Sequence, residues 1–127
     1  MTPKIATALE VFSGSPDRYC PSGYRDPLRM QERLAALSKI KAIKAVEVAQ
    51  TDVSPEVPAK ELKRLLKDYG LACSGVSANL AYDRRFALGA FGHQHPKTRN
   101  AAIDEGRKAV DLARQLGATE ITLRLYS

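Results

Sequence analysis

The sequence has no tryptophan and only 6% aromatic residues. Large rings cannot dominate its interior, so a core has to be assembled from Leu, Val, Ile and Ala. Cysteine is scarce as well. Cys20 and Cys73 fall in different predicted elements and show no metal-ligand spacing. That excludes a disulfide-rich scaffold and leaves two free thiols in a reducing compartment as the plain reading. No run of about 18 apolar residues occurs, which excludes a membrane-spanning helix. The opening MTPKIATALEV lacks an apolar segment flanked by a cleavage site, so no signal peptide is expected and the expected location is the cytoplasm. Also missing are a G-x-G-x-x-G after a strand, a G-x-x-x-x-G-K-[ST] loop and a G-x-S-x-G elbow. Dinucleotide binding, P-loop chemistry and serine-hydrolase chemistry lose their usual signatures.

What remains is an ordinary globular composition: 127 residues, 44% hydrophobic and 27% charged. This is enough for one domain with a real core, spanning 1–127. The net charge is +6 and the pI about 9.5, which permits an anionic partner. The Lys and Arg residues, however, are spread along helical positions beside Glu and Asp, the pattern of a solvated surface. Nucleic acid is therefore not the expected partner. Arg84, Arg85 and Arg99 are the residues on which an anion-binding reading would rest.

Four strand patterns alternate with three helical ones. KIATALEVF (4–12), KAVEVAQ (44–50), ACSGVSANL (72–80) and the final 119–126 read as strands. The first helix is expected over 27–40, with Asp26 as N-cap, Pro27 at the first helical position, and Leu34, Leu37 and Ile40 as its apolar stripe. A second helix lies within 51–70, starting at Ser54–Pro55 or after Pro58. Leu62, Leu65, Leu66 and Tyr69 form its buried face and Gly70 lies past its end. The third is expected over 98–117, with Ile103, Val110, Leu112, Ala113 and Leu116 as core and Gly117 at its end. The order βαβαβαβ predicts an α/β fold with a parallel sheet and right-handed crossovers. Two long loops, 13–26 and 81–97, both follow strands, so they fall at the carboxyl ends of the strands, where β/α folds place their sites.

Chemistry-bearing residues are few. His93 and His95, two apart in GHQHP, could share a metal, but no Cys, Asp or Glu follows closely to complete a set; a turn capping the next helix is the simpler reading. Glu10 and Glu47 lie on predicted strands, where a carboxylate needs a partner or an opening to water. Alternation sends Val46 and Val48 to the helix-covered face and Glu47 and Ala49 to the other. It likewise sets Thr122 and Arg124 opposite Ile121 and Leu123. A contact between Glu47 and Arg124 across a polar interior is therefore expected, either as an ion pair that satisfies two buried charges or as part of a site.

SANL followed by RRFALGAF, and KTRNAAIDEGRKAVDLARQLGATEITL, resemble the xylose isomerase-like TIM-barrel superfamily of sugar isomerases and epimerases. ALEVFSGSPDRYCPSGYRDPL and LSKIKAIKAVEVAQTDVSPE fit its first two β/α units. The resemblance covers essentially the whole chain but only strands one to four of eight, so it implies half of a (β/α)8 barrel. It implies sugar chemistry by hydride shift or enediol proton transfer, with a divalent metal such as Mn or Mg held by residues of the later strands. Those strands are not in this sequence, so no metal or other cofactor is expected. Where xylose isomerases carry a catalytic His after strand two, this chain has Ala49 and Gln50. Where they carry a pocket Phe and Trp, it has Ala81 and Arg124.

The resulting expectation is a half-barrel, natural or engineered, inactive alone, with open sheet edges that favour a homodimer or higher homo-oligomer. One alternative is an isomerase whose site is assembled between chains. Its candidate catalytic residues are Glu10, Glu47, His93 and His95, with Asn79 and Arg124 as candidates for holding substrate. The other alternative is the non-enzymatic anion binder.

Overall fold

The computed structural model of the chain describes residues 4–17 and 19–125. Its elements are β1 (Ile5–Ala8), α1 (Met30–Ser38), β2 (Ile43–Ala49), α2 (Ala59–Asp68), β3 (Ala72–Ser77), α3 (Pro96–Leu116) and β4 (Glu120–Thr122). The four strands form one sheet in the order β1-β2-β3-β4, and every neighbouring pair is parallel. The α/β class and the βαβαβαβ order are as the sequence predicts.

One face of the sheet carries the core. Val46, Val48 and Val76 point into it and are fully buried beneath Leu34, Leu37 and Leu62 of α1 and α2. Each such aliphatic side chain stabilises the fold by roughly 1.5–3 kcal/mol relative to exposure. Leu9 and Phe86, in short 3-10 turns after β1 and before α3, close the same cluster. Gly70 and Gly117 adopt φ +68° and +79°, the left-handed conformation that ends a helix at low cost.

Several boundaries differ from the sequence expectation. Strand one is shorter than 4–12, because Leu9–Phe12 turns into a 3-10 helix. Helix α1 begins at Met30 rather than at Pro27, and Asp26 is not its cap. The Glu32 carboxylate reaches back to the Arg29 N–H at 2.8 Å and starts the helix there, while Pro27 stays in the loop. Ile40 lies past the end of α1 and is 47% exposed. Helix α2 takes the later start, after Pro58, and the Ser54 hydroxyl instead accepts from the Val57 N–H. Strand three stops at Ser77 rather than at residue 80.

Helix α3 runs two residues further back than expected, with Pro96 in its first turn and His95 at the N-cap. Its buried face is Ala102, Glu105, Ala109, Leu112, Ala113 and Leu116; Ile103 and Val110 stand one position off this stripe and are exposed. Apolar identity alone could not reveal that a glutamate, not Ile103, faces inward. The last strand is only three residues of the expected 119–126. Leu123 and Leu125 follow it and are exposed, and Tyr126 lies outside the described residues.

Candidate functional site

The second face of the sheet is concave and polar. Strand alternation puts Glu47 on it, between Val46 and Val48, and puts Thr122 and Arg124 on it from the opposite edge. Arg124 bridges two carboxylates. Its Nη2 donates to Glu47 Oε1 at 3.0 Å and its Nη1 donates to Glu10 Oε1. The Tyr82 hydroxyl donates to Glu10 Oε2 at 2.6 Å and the Thr122 hydroxyl to Glu47 Oε2 at 3.0 Å. All four carboxylate oxygens therefore accept a hydrogen bond from the protein. The three charged side chains are 22–25% exposed. The hydrogen bond to Glu10 is the main cause that raises the Arg124 pKa above its ordinary value; burial opposes it and the charges of Glu10 and Glu47 add to it.

The expected Glu47–Arg124 contact is present, and the sequence missed two of its companions, Tyr82 and Thr122 as donors. Glu10 was singled out, but not as the arginine's second partner. It comes from the turn after β1, at the far side of the sheet from β4. In a flat sheet strands one and four would stand roughly 14 Å apart. The pairing is reached because the sheet curls.

The chemistry of this donor set does not fit a divalent cation. Glu10 and Glu47 are the acidic groups of the cluster, and a guanidinium already lies between them with its donors on both. Among the described residues no group of three or more His, Cys, Asp or Glu side chains is gathered as metal ligands would be.

Beside the cluster, at the carboxyl ends of the strands, is a cavity of about 240 Å³ lined by Pro16, Asp17, Pro21, Thr51, Asn79 and Tyr82. An adjoining one of about 210 Å³ shares Pro16, Pro21 and Thr51 with it. The outer wall is the long first loop, fixed by its own polar groups. Asp17 accepts from the Tyr19 and Cys20 N–H groups at 2.7 Å each and from the Tyr24 hydroxyl at 2.9 Å. Gly23, at φ +83°, packs directly on Gly14; a Cβ there would stand 2.4 Å from the Gly14 carbonyl oxygen.

The inner wall is set by a relay. The Asn79 N–H donates to Gln50 Oε1 at 2.9 Å and Gln50 Nε2 donates to Glu105 Oε2 at 3.0 Å. Glu105 Oε1 in turn takes Arg85 at 3.1 Å and Lys108 at 3.0 Å. Burial pushes the Glu105 carboxyl up, but the bonds from Lys108 and Arg85 outweigh it and hold it below the usual range. The Asn79 Oδ1 atom is buried without a hydrogen-bond partner. On the α1 side, Asp52 accepts from Arg33 at 3.0 Å and from the Ala49 N–H at 2.9 Å. Burial is the main influence there and raises its pKa above the ordinary value. Gln50 and Glu105 were not among the sequence candidates; a glutamate inside the stripe of α3 was the available signal.

His93 and His95 serve the entry to α3. The His95 N–H donates to His93 Nδ1 at 3.0 Å, the rings stand 5.4 Å apart, and Arg99 donates to the His93 and Gln94 carbonyls at 2.7 and 2.9 Å. Arg85 is likewise engaged within the chain, with Asp83 and Glu105. A larger concavity, about 560 Å³, lies along α2 between Pro58, Lys60, Glu61, Lys63, Arg64 and Lys67. Ion pairs of Arg64 with Glu61 and Asp68 run through it, and it is a solvated helix face.

A curled parallel sheet with helices on its convex face and loops at the strand ends is the architecture of a β/α barrel, here with four strands of the eight. Solved structures share it. Protein SMc04130 from Sinorhizobium meliloti 1021 superposes with a TM-score of 0.60 at 20% identity, over 97% of this chain and 36% of its own. A xylose isomerase-like TIM barrel/4-hydroxyphenylpyruvate dioxygenase fusion protein superposes with a TM-score of 0.59 at 15% identity, over 95% of this chain and 16% of its own. The chain thus spans about a third of the first of these and about a sixth of the second, and the likeness is one of fold. No family model matches the sequence, and no curated protein matches it. No helix among the described residues is long and apolar enough to cross a membrane.

Proposed function

We propose that the chain is the first half of a sugar isomerase- or epimerase-type barrel and performs no isomerisation by itself. One observation carries this reading. The two inner carboxylates, Glu10 and Glu47, have every oxygen engaged by Arg124, Tyr82 or Thr122. Such groups neutralise and brace one another; they are not free to take a proton from a sugar carbon or to hold a metal. The chain works in the cytoplasm with Cys20 and Cys73 as free thiols. The test is a turnover assay on common aldoses and ketoses with Mn or Mg added. No rate above blank is expected; a rate that Glu47→Gln abolishes would overturn the reading.

A second reading, retained sugar binding without turnover, is favoured by Asn79. Asn79 lines a cavity large enough for a small polyol, and its Oδ1 is buried without a partner. A sugar hydroxyl would satisfy it, and a buried acceptor left unpaired costs about 1–3 kcal/mol. Titration of xylose and related sugars by calorimetry or NMR tests this: chemical-shift changes should centre on Thr51, Asn79 and Tyr82 and vanish in Asn79→Leu. Shifts elsewhere, or none, reject it.

A further inference from the structure

The sheet has two open edges. At the β4 edge, Leu123 and Leu125 alternate with the inward-facing Thr122 and Arg124 and so point outward; they are 45% and 62% exposed. Helix α3 adds Ile103 and Val110 to this side. Glu105, about 200° round the helix from Ile103, faces Gln50 at the end of β2, so the Ile103 flank faces away from β2, past β4. At the opposite edge Ile5, Val11 and Leu28 are 41–49% exposed, in β1 and in the segments that follow it. Seven of the eleven exposed large apolar side chains among the described residues thus fall on the two edges. Parallel edges with apolar margins favour pairing with another chain.

The shape of the sheet says which chain fits. The bridge from Arg124, just past β4, to Glu10, in the turn after β1, spans the concave face, as the half-cylinder of a half-barrel requires. What completes a half-cylinder is another of the same curvature and twist, with a first-strand edge where this one has a last-strand edge. A second copy meets all of these conditions at once. Resting on the half-barrel reading above, we propose that two copies close around a two-fold axis, the β4 edge of each seated on the β1 edge of the other. The contact is heterologous edge to edge, and two-fold symmetry repeats it to close the ring. Closure also encloses both Glu10–Arg124–Glu47 clusters and roofs the cavity at Asn79, so the site is complete only in the pair.

The experiment is sedimentation equilibrium of the whole chain, without sugar or metal, from low to high micromolar concentration. A dimer is expected. Leu123→Asp/Leu125→Asp, at exposed positions, should raise the dimer Kd about a hundredfold, as uncompensated charges at an interface do. Ile5→Asp/Val11→Asp should do the same, both with unchanged far-UV circular dichroism. Mixing the two variants restores one unmodified seam, so the mixture should dimerise more tightly than either alone. A folded monomer at every concentration overturns the proposal and leaves the half-barrel reading standing. A dimer that survives the β1-edge substitutions shows β4-to-β4 pairing and overturns it equally. A dimer that turns over sugar upholds the closure while refuting the inactive half-barrel.

Discussion

Replacing Arg124 with methionine keeps most of the side-chain bulk and removes the charge. Glu10 and Glu47 then face each other across the concave surface, each still with one donor, Tyr82 or Thr122. Breaking a fully buried pair by removing one partner costs about 3–5 kcal/mol, and an exposed pair is worth roughly 0–1 kcal/mol. With all three groups about a quarter exposed, the expected loss lies between, at about 2 kcal/mol near neutral pH. The pH dependence follows from sign. In the variant, mutual repulsion raises the folded-state carboxylate pKa above the unfolded value of about 4.3. The penalty is then present at neutral pH and is relieved as pH falls through the raised pKa. In the wild type the raised arginine pKa acts the other way: its stabilisation is complete below the ordinary arginine value and is constant across the working range. Urea unfolding of both proteins at about pH 7 and about pH 4.5 reads this out. The variant Arg124→Met/Glu10→Gln/Glu47→Gln should recover most of the loss at neutral pH. A loss under about 0.5 kcal/mol, the value of an exposed pair, or an equal loss at both pH values, would refute the reasoning.

Glu105→Gln should cost about 1–2 kcal/mol at neutral pH, because Arg85 and Lys108 lose a charge-assisted acceptor. Since the folded pKa of Glu105 is lowered, that stabilisation is present above the unfolded pKa of about 4.3 and fades as pH falls through the folded one; chemical unfolding of wild type and variant should converge in acid. Gly23→Ala forces a Cβ onto the Gly14 carbonyl at a positive φ and should loosen the first loop. Faster proteolytic cleavage within 13–28 checks it, and a wild-type cleavage rate would contradict the packing. Burial pushes the Cys73 thiol up to about 11. At pH 8 its thiolate fraction is then roughly two-hundredfold below that of a free cysteine with pKa near 8.5, so alkylation should be slow until denaturant is added.

Local signals carried the fold far. Strand–helix alternation, the glycines at 70 and 117, and the Leu62–Leu65–Leu66 stripe are each decided by neighbours within a few residues, and each stands where the sequence places it. The start of α1 was not legible, because Asp26–Pro27 is as good a local signal as the Glu32-to-Arg29 bond that decides it. The inward glutamate of α3 was only partly legible: its spacing from Ala109, Leu112 and Leu116 was a local signal, its partner was not. Glu105 is buried because Gln50, 55 residues earlier, meets it, and no local pattern encodes that meeting. The site divides similarly. Period-two alternation set Glu47 and Arg124 on one face, which was enough to expect their contact. The participation of Glu10 depends on the curl of the whole sheet, a property of no single segment.

That curl gives the chain an order of events. The bridge between Glu10 and Arg124 joins residues 114 positions apart, so forming it closes almost the whole chain into one loop. Neighbouring strands can pair much earlier, each over a far shorter separation. The arginine therefore finds its first-strand partner among the last contacts made, when the loop-closure cost of the earlier pairings is already met. A substitution at Arg124 should accordingly speed unfolding while leaving the folding rate nearly unchanged. Until that contact forms, the two inner carboxylates stand without the cation that joins them.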